Sequence, residues 1–374
     1  MTAETAPKIA VIGGGIVGST AAFYLNRHQQ HVVLFDEGIG QATKAAAGII
    51  SPWLSQRRNK DWYFLAKSGA AFYTQLMLDL NLPQNNEIYR KTGTILYKKD
   101  HKLLDKLTKI AEKRALEAPE IGTITQLTAA EIKEKLPLIS SNQPGLFVSG
   151  GAKVDGAALT KHLQNTLPDV KKERITVIKL NHQGQWILLT KKRKYIFDHV
   201  ILCAGAWLPE LLSPLGFDVD IRPQKGQLIE LSLSQEKSFI EAPVAMPVGE
   251  IDLIPFSDQQ IIIGATHEND MGYDLTPDFK LLEHMKQTAG LWAEKIKNEP
   301  IASIRIGTRA YTSDFLPFFG EVDLLPNLMV ASGLGSSGLT TGPIIGKTLA
   351  DWVLGNPTKL DSYKKNPNNY IQKT

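Results

Sequence analysis

Residues 9–36 read IAVIGGGIVGSTAAFYLNRHQQHVVLFD, and this stretch decides the fold. The run Ile9-Ala10-Val11-Ile12 is short, apolar and β-branched, which suits a buried parallel strand. It stops at Gly13-Gly14-Gly15. Apolar residues then recur at helical spacing over residues 16–27, and a second β-branched run, Val32-Val33-Leu34-Phe35, ends on Asp36. Together they predict one βαβ unit carrying G-x-G-x-x-G at Gly13, Gly15 and Gly18. Gly13 allows the tight turn, Gly15 lets a pyrophosphate approach the backbone, and Gly18 lets helix and strand pack closely. The helix start, with Ile16 and Val17, offers free N–H groups and partial positive charge to phosphates. Asp36 lies eighteen residues after Gly18, near the spacing for an acid that binds a ribose, and it disfavours a 2′-phosphate. A dinucleotide site follows; the unit alone does not separate NAD from FAD.

The remaining chain must supply more than this one unit. At 374 residues it is too long for one ordinary core, so two domains are expected. Its 43% hydrophobic and 21% charged residues are those of a globular chain. A net charge of +4 gives no argument for nucleic acid, and none is expected as a partner. The basic run Lys191-Lys192-Arg193-Lys194 sits between two strand-like runs and reads as a solvated hairpin turn. The single cysteine, Cys203, excludes an internal disulfide and a cysteine-based metal or iron–sulfur site within one chain. No metal is expected. There is no signal-peptide pattern or apolar run of membrane-spanning length, so a cytoplasmic protein is expected, with peripheral membrane contact left open.

Further elements follow in order. Small residues crowd residues 42–48; they suit either a helix start or a backbone lying against a ligand. Helices are expected over 61–80, 101–116, 154–167 and 277–297, and a capping box at Thr128 and Glu131 starts another. Residues 226–231, 251–255 and 260–265 read as antiparallel strands of a mixed sheet. A buried strand runs into Ala204-Gly205-Ala206-Trp207. Near the end, residues 328–331 form a strand, SGLGSSGLTTG is a glycine-rich loop, and Pro343 suits the first turn of a closing helix.

Five blocks carry a family resemblance: VIGGGIVGS, AAAGII, VILCAGAW, GTRAYTSDFLPFFG and ASGLGSSGLTTGPIIGKTLADWV. The chain resembles FAD-dependent amino-acid oxidoreductases of the D-amino-acid oxidase, glycine oxidase and sarcosine oxidase type over nearly its whole length. The resemblance implies an α/β fold with a discontinuous, Rossmann-like FAD domain (residues 1–85, 146–210 and 305–374) and an antiparallel-sheet substrate domain (86–145 and 211–304). It places Gly13, Gly15 and Gly18, with Ile16 and Val17, at the pyrophosphate. Asp36 and Glu37 fall at the ribose, Thr43, Ala47, Gly48 and Ile49 along the cofactor, and Val177 near adenine. Ala204, Gly205 and Trp207 fall along the cofactor's edge. Gly333, Gly335, Ser336, Ser337, Gly338, Leu339 and Thr340 wrap the isoalloxazine. Backbone N–H groups of residues 337–340 would stabilise the negative charge of reduced flavin.

The implied activity is oxidation of the amine of a small amino acid, such as glycine, sarcosine or a D-amino acid. A hydride passes to flavin N5 and the imine then hydrolyses. Arg309, eight residues before Pro317, stands where the glycine oxidase type clamps the substrate carboxylate, which a guanidinium matches with two parallel hydrogen bonds. His267 matches an active-site histidine of the sarcosine oxidase type. Asp252 replaces a tyrosine that several members use for substrate; it would prefer a cationic group or point to solvent. Arg309 also replaces the cysteine that attaches flavin in the sarcosine oxidase type, so FAD is expected to be non-covalent. Ile263 replaces that type's oxygen-activating lysine, leaving oxygen, a quinone or a protein open as electron acceptor. Oligomeric state is open. Oxidation of a 2-hydroxy acid, action on modified tRNA, and a non-catalytic flavin-binding redox sensor are the competing readings.

Overall fold

The protein is described from a computed structural model that covers residues 7–234, 238–249, 251–363 and 365–374. Lys8–Ile12 and His31–Phe35 are parallel neighbours, with Lys8 opposite His31 and Ile12 opposite Phe35. The helix Ile16–Arg27 crosses between them. The other side of Lys8–Ile12 is taken by His199–Leu202, and that strand by Leu328–Ser332, both in parallel. Segments three hundred residues apart therefore complete one sheet of six strands, edged by Phe318–Glu321 and Val170–Lys171.

This sheet is buried on both faces, as parallel sheets are. Ile9, Val11 and Ile201 join a core with the helices, whereas Ala10, Ile12, Val200 and Leu202 join one with Trp186, Leu188 and Phe197. The latter belong to strands Trp186–Leu189 and Lys194–Phe197, and the basic residues form the hairpin turn, as their pattern predicts. The closing helix, Gly338–Val353, lies against Ile16–Arg27 so closely that a Cβ on Gly346 would stand 2.4 Å from the carbonyl oxygen of Val17.

The second sheet has eight strands, in the order Ile301–Tyr311, Arg222–Ser232, Gln260–Gly264, Asp252–Pro255, Val244–Met246, Thr94–Tyr97, Gly145–Val148 and Ile124–Leu127. Its pairs are antiparallel except Val244–Met246 with Thr94–Tyr97. The strand Ile301–Tyr311 crosses the border expected at residue 305 and is followed by Phe318–Glu321 and Leu328–Ser332 of the six-stranded sheet.

Three expected helices have different bounds. At residues 154–167, Ala152–Val154 is a strand, because β-branched Val154 pairs with Tyr89; Asp155 then caps a helix over Gly156–Asn165. At 277–297, the α-helix Phe279–Ala289 ends at Gly290, and a separate 3-10 turn spans Glu294–Asn298. The closing helix begins at Gly338, so Pro343 is inside it. Proline has no N–H for the Leu339 carbonyl four residues back. That carbonyl instead accepts the Tyr73 hydroxyl at 2.6 Å. Residues 42–48 are turn and extended chain, not helix.

Candidate active site

A cavity of about 550 Å³ is lined by residues from both sheets, within the range usual for ligand sites. At one end lies the first glycine turn. The Gly13 N–H bonds the Phe35 carbonyl at 2.8 Å, and a Cβ on Gly13 would stand 2.2 Å from the Cys203 carbonyl oxygen. Gly18 is absent from the cavity wall because it packs inward, where a Cβ would stand 2.0 Å from the Gly13 oxygen. The Thr43 hydroxyl accepts the Ile16 N–H at 3.0 Å and so ties residues 42–48 to the helix start. Asp36 accepts the N–H groups of Gly14 and Gly38, which locks its carboxylate at the end of the strand. A carboxylate has about four acceptor positions, so both oxygens keep capacity for a ligand.

Gln164 escaped sequence reasoning. Its amide donates to the Gly14 carbonyl at 2.9 Å and to Ser19 Oγ at 3.0 Å, holding the turn from a helix 150 residues away. No local spacing reveals such a contact.

The opposite end of the cavity is built by the closing loop and the eight-stranded sheet. Gly333, Gly335, Ser336, Ser337, Gly338, Leu339 and Thr340 all line it. The first N–H groups of Gly338–Val353 have no intrahelical partner and lie at this wall. The loop is fixed twice: Trp62 Nε1 donates to Ser337 Oγ at 2.9 Å, and the Ser336 N–H donates to the Tyr311 hydroxyl at 3.0 Å. Tyr311 shares its strand with Arg309, so closing loop and candidate clamp are set by one element.

Arg309 is largely buried. Its Nη1 donates to Gln224 Oε1 at 3.0 Å and to the Thr266 carbonyl at 2.9 Å. Both partners are neutral. Among the described residues no carboxylate forms an ion pair with it, whereas Arg305 pairs with Glu230. Desolvation accordingly lowers the Arg309 pKa, opposed by Tyr311 and Glu268. The guanidinium lies flat over Gly226, where a Cβ would come within 2.6 Å of its central carbon. Gly226, Gly264 and Gly307 all line the cavity, so this part of the sheet is bare of side chains.

His267 and Asp252 line the same cavity. Asp252 pairs with Gly264 across the sheet, and burial pushes its carboxyl up to about 7. It is not turned out to bulk solvent. Of the remaining expected residues, Ile16, Val17, Glu37, Ala47, Gly48, Ile49, Ala204, Gly205 and Trp207 line the cavity. Val177, the first residue of the strand Val177–Leu180, does not, whereas Ile175, two residues earlier, does. Glu37 is bound by Arg174, which also grips Glu210.

The walls fit an extended dinucleotide. Both amide atoms of Gln41 and the Thr308 hydroxyl are buried without a partner among the described residues, and both residues contribute to the cavity wall. Buried polar atoms of this kind call for a partner, and a ligand rich in hydroxyls and phosphates supplies them. Among the described residues there is no cluster that would hold a metal ion, and no helix is long and apolar enough to cross a membrane.

The model of the D-amino-acid oxidase (DAO) family, FAD dependent oxidoreductase, matches residues 8–352. An uncharacterized oxidoreductase of Bacillus subtilis, YurR, is 38% identical over 94% of this chain and 96% of its own. Glycine oxidase of Pseudomonas putida is 26% identical over 95% and 96%. The crystal structure of iminodiacetate oxidase from Chelativorans sp. BNC1 superposes with a TM-score of 0.88 at 31% identity, covering 96% of this chain and 99% of that one.

Proposed function

Because the chain belongs to the family of FAD-dependent oxidoreductases and is an FAD-dependent enzyme, we propose that it oxidises the amine of a small amino acid. The observation that carries this reading is Arg309: a largely desolvated cation whose hydrogen-bond partners are both neutral, on a bare sheet beside the closing glycine loop. A buried charge without a counter-ion is costly, and a substrate carboxylate would remove that cost with two charge-assisted hydrogen bonds. Glycine and iminodiacetate, for whose oxidation two relatives are named, each have a carboxylate one carbon from the amine, which supports the same substrate class.

Bound FAD supplies the hydride acceptor. The chain's own residues orient and exclude water. Arg309 would fix the carboxylate, and through it the α-carbon. Gly226 and Gly264 leave room for substrate on the sheet. His267 would contact the amine or carboxylate. In this reading the six-stranded sheet carries the cofactor, held without a covalent bond, and the eight-stranded sheet the substrate.

The test is anaerobic mixing of the yellow protein with glycine, sarcosine, iminodiacetate, D-alanine and glycolate, following the flavin absorbance band. Bleaching by one of the amines is expected. Bleaching by glycolate alone would replace this reading with hydroxy-acid oxidation, and no bleaching at all would favour a sensor.

A further inference from the structure

We propose that Asp252 is a catalytic base: it pairs with the substrate ammonium while Arg309 holds the carboxylate, and takes one proton from it before hydride transfer. The proposal rests on the amine reading above.

The geometry comes from strand register. Asp252 is opposite Gly264, and Gly264 is opposite Leu228. Arg309 is opposite Gln224 on the far side of the same central strand. Directly opposed residues share a face, as do residues two apart along a strand. Asp252, Gly264, Gly226 and Arg309 therefore all face the cavity, which each of them lines. An acid and a base of opposite charge flank glycine backbone, and between them lies a seat for a zwitterion.

Asp252 has no hydrogen-bond or ion-pair partner among the described residues. An ionised carboxylate in a desolvated wall needs a cation or a proton. Arg309 is occupied by Gln224 and Thr266 at Nη1. Among the described residues, the other charged or titratable groups that line this end of the cavity are His267, from the loop after Gln260–Gly264, and Arg57, which stacks on Trp62 at 5.0 Å. A substrate ammonium is the cation that the arrangement lacks.

The step balances simply. An ammonium nitrogen has no lone pair and cannot assist hydride loss from its carbon. One N–H bond breaks, the proton bonds to a carboxylate oxygen of Asp252, and the electron pair stays on nitrogen. That pair would then be free to form the C=N bond as the carbon gives up a hydride with its two electrons, for which bound FAD would supply the acceptor. Asp252 later returns the proton to water. A carboxyl that burial holds near 7 is suited to this work near neutral pH.

The experiment compares the wild-type holoenzyme with Asp252→Asn, using the amine that bleaches the flavin fastest. Removal of a general base predicts a fall in kcat/KM of roughly a hundredfold or more at neutral pH. The wild-type profile should rise with pH and level off above neutrality. The variant should keep rising tenfold per pH unit, because it must wait for free amine in solution. Glycolate, which carries no ammonium, should perturb the flavin spectrum of both proteins equally; that also shows the variant folded and loaded. Asp252→Glu, which keeps a carboxylate, should restore the levelling-off. Unchanged kcat/KM and pH profile in Asp252→Asn overturn the proposal alone. So does equal loss of glycolate and amine binding, which would mark a structural role. A wild type whose flavin no amine bleaches overturns the amine reading and this proposal with it.

Discussion

The two ends of the cavity are built in opposite ways. The first glycine turn is one continuous stretch whose work is done by backbone: N–H groups, a tight turn and missing Cβ atoms at Gly13, Gly15 and Gly18. The sheet floor is assembled from separate strands, with Asp252 and Arg309 fifty-seven positions apart, and its work is done by side chains. The first depends on spacing along the chain. The second depends on register between strands. A backbone site fails when an atom is added, whereas a side-chain site fails when a functional group is exchanged.

The largest effect is expected at the turn. Gly13 has φ +105°, and a side chain there would meet the Cys203 carbonyl at 2.2 Å. Strain and overlap together cost about 3 kcal/mol or more. Gly13→Val should give little yellow protein, read from flavin absorbance and thermal unfolding. A stable, fully loaded variant would break the contrast, since the turn would then tolerate what only the floor should tolerate.

At the floor, function and stability should pull apart. The Asp252 carboxyl is raised by burial to about 7, above its value of about 4 in the unfolded chain. The folded state thus keeps a proton that the unfolded state releases, and stability falls as pH rises from about 4 to 7. Asp252→Asn escapes this cost. Its holoenzyme should be more stable than wild type at pH 8, by about 4 kcal/mol at most, and no more stable at pH 4. Equal melting temperatures at both pH values would show that Asp252 is solvated.

Arg309→Lys keeps the charge and loses the planar fork. Disrupting a buried charged contact costs about 2–5 kcal/mol, so kcat/KM should fall roughly thirtyfold or more, with FAD affinity unchanged. Equal loss of both would make Arg309 a structural residue. Gly226→Ala tests the bare floor beneath it. Its Cβ would press on the guanidinium, and about 1–3 kcal/mol of overpacking should appear as weaker substrate binding with flavin still bound.

What the sequence revealed follows the same division. The βαβ unit was legible because its period, turn and acid all lie within 28 residues. The closing helix was legible as a helix, but its start was not: Pro343 usually marks a first turn, and only the distant Tyr73 hydroxyl makes an interior proline tolerable by taking the freed carbonyl. Val177 and Ile175 lie on one β-prone run, so which of the two lines the cavity was open until the strand's start was known. Arg309, His267 and Asp252 came from family resemblance, and no spacing rule relates them. Gln164, Trp62 and Gly226 were missed for one reason: each acts on a residue far along the chain, and nothing local distinguishes it from a surface amide, a core aromatic or a strand glycine.

Trp62 joins the two halves of the contrast, and its predicted effect is the smallest. It comes from the helix Lys60–Asp79, outside both sheets, yet its indole N–H holds Ser337 in the closing glycine loop. Its ring also supports Arg57 at the cavity wall. Trp62→Phe keeps a ring for Arg57 and removes only the donor. One neutral hydrogen bond contributes about 1 kcal/mol, so FAD should bind roughly fivefold more weakly, measured by flavin fluorescence during reconstitution. Substrate KM should barely move, because Arg309 is positioned by Gln224 and Thr266. If KM rises while FAD affinity holds, Trp62 acts through Arg57, and the wall above the sheet belongs to the side-chain site. If FAD affinity alone falls, the flavin loop is held like the first glycine turn, by a remote side chain that fixes backbone N–H groups in place.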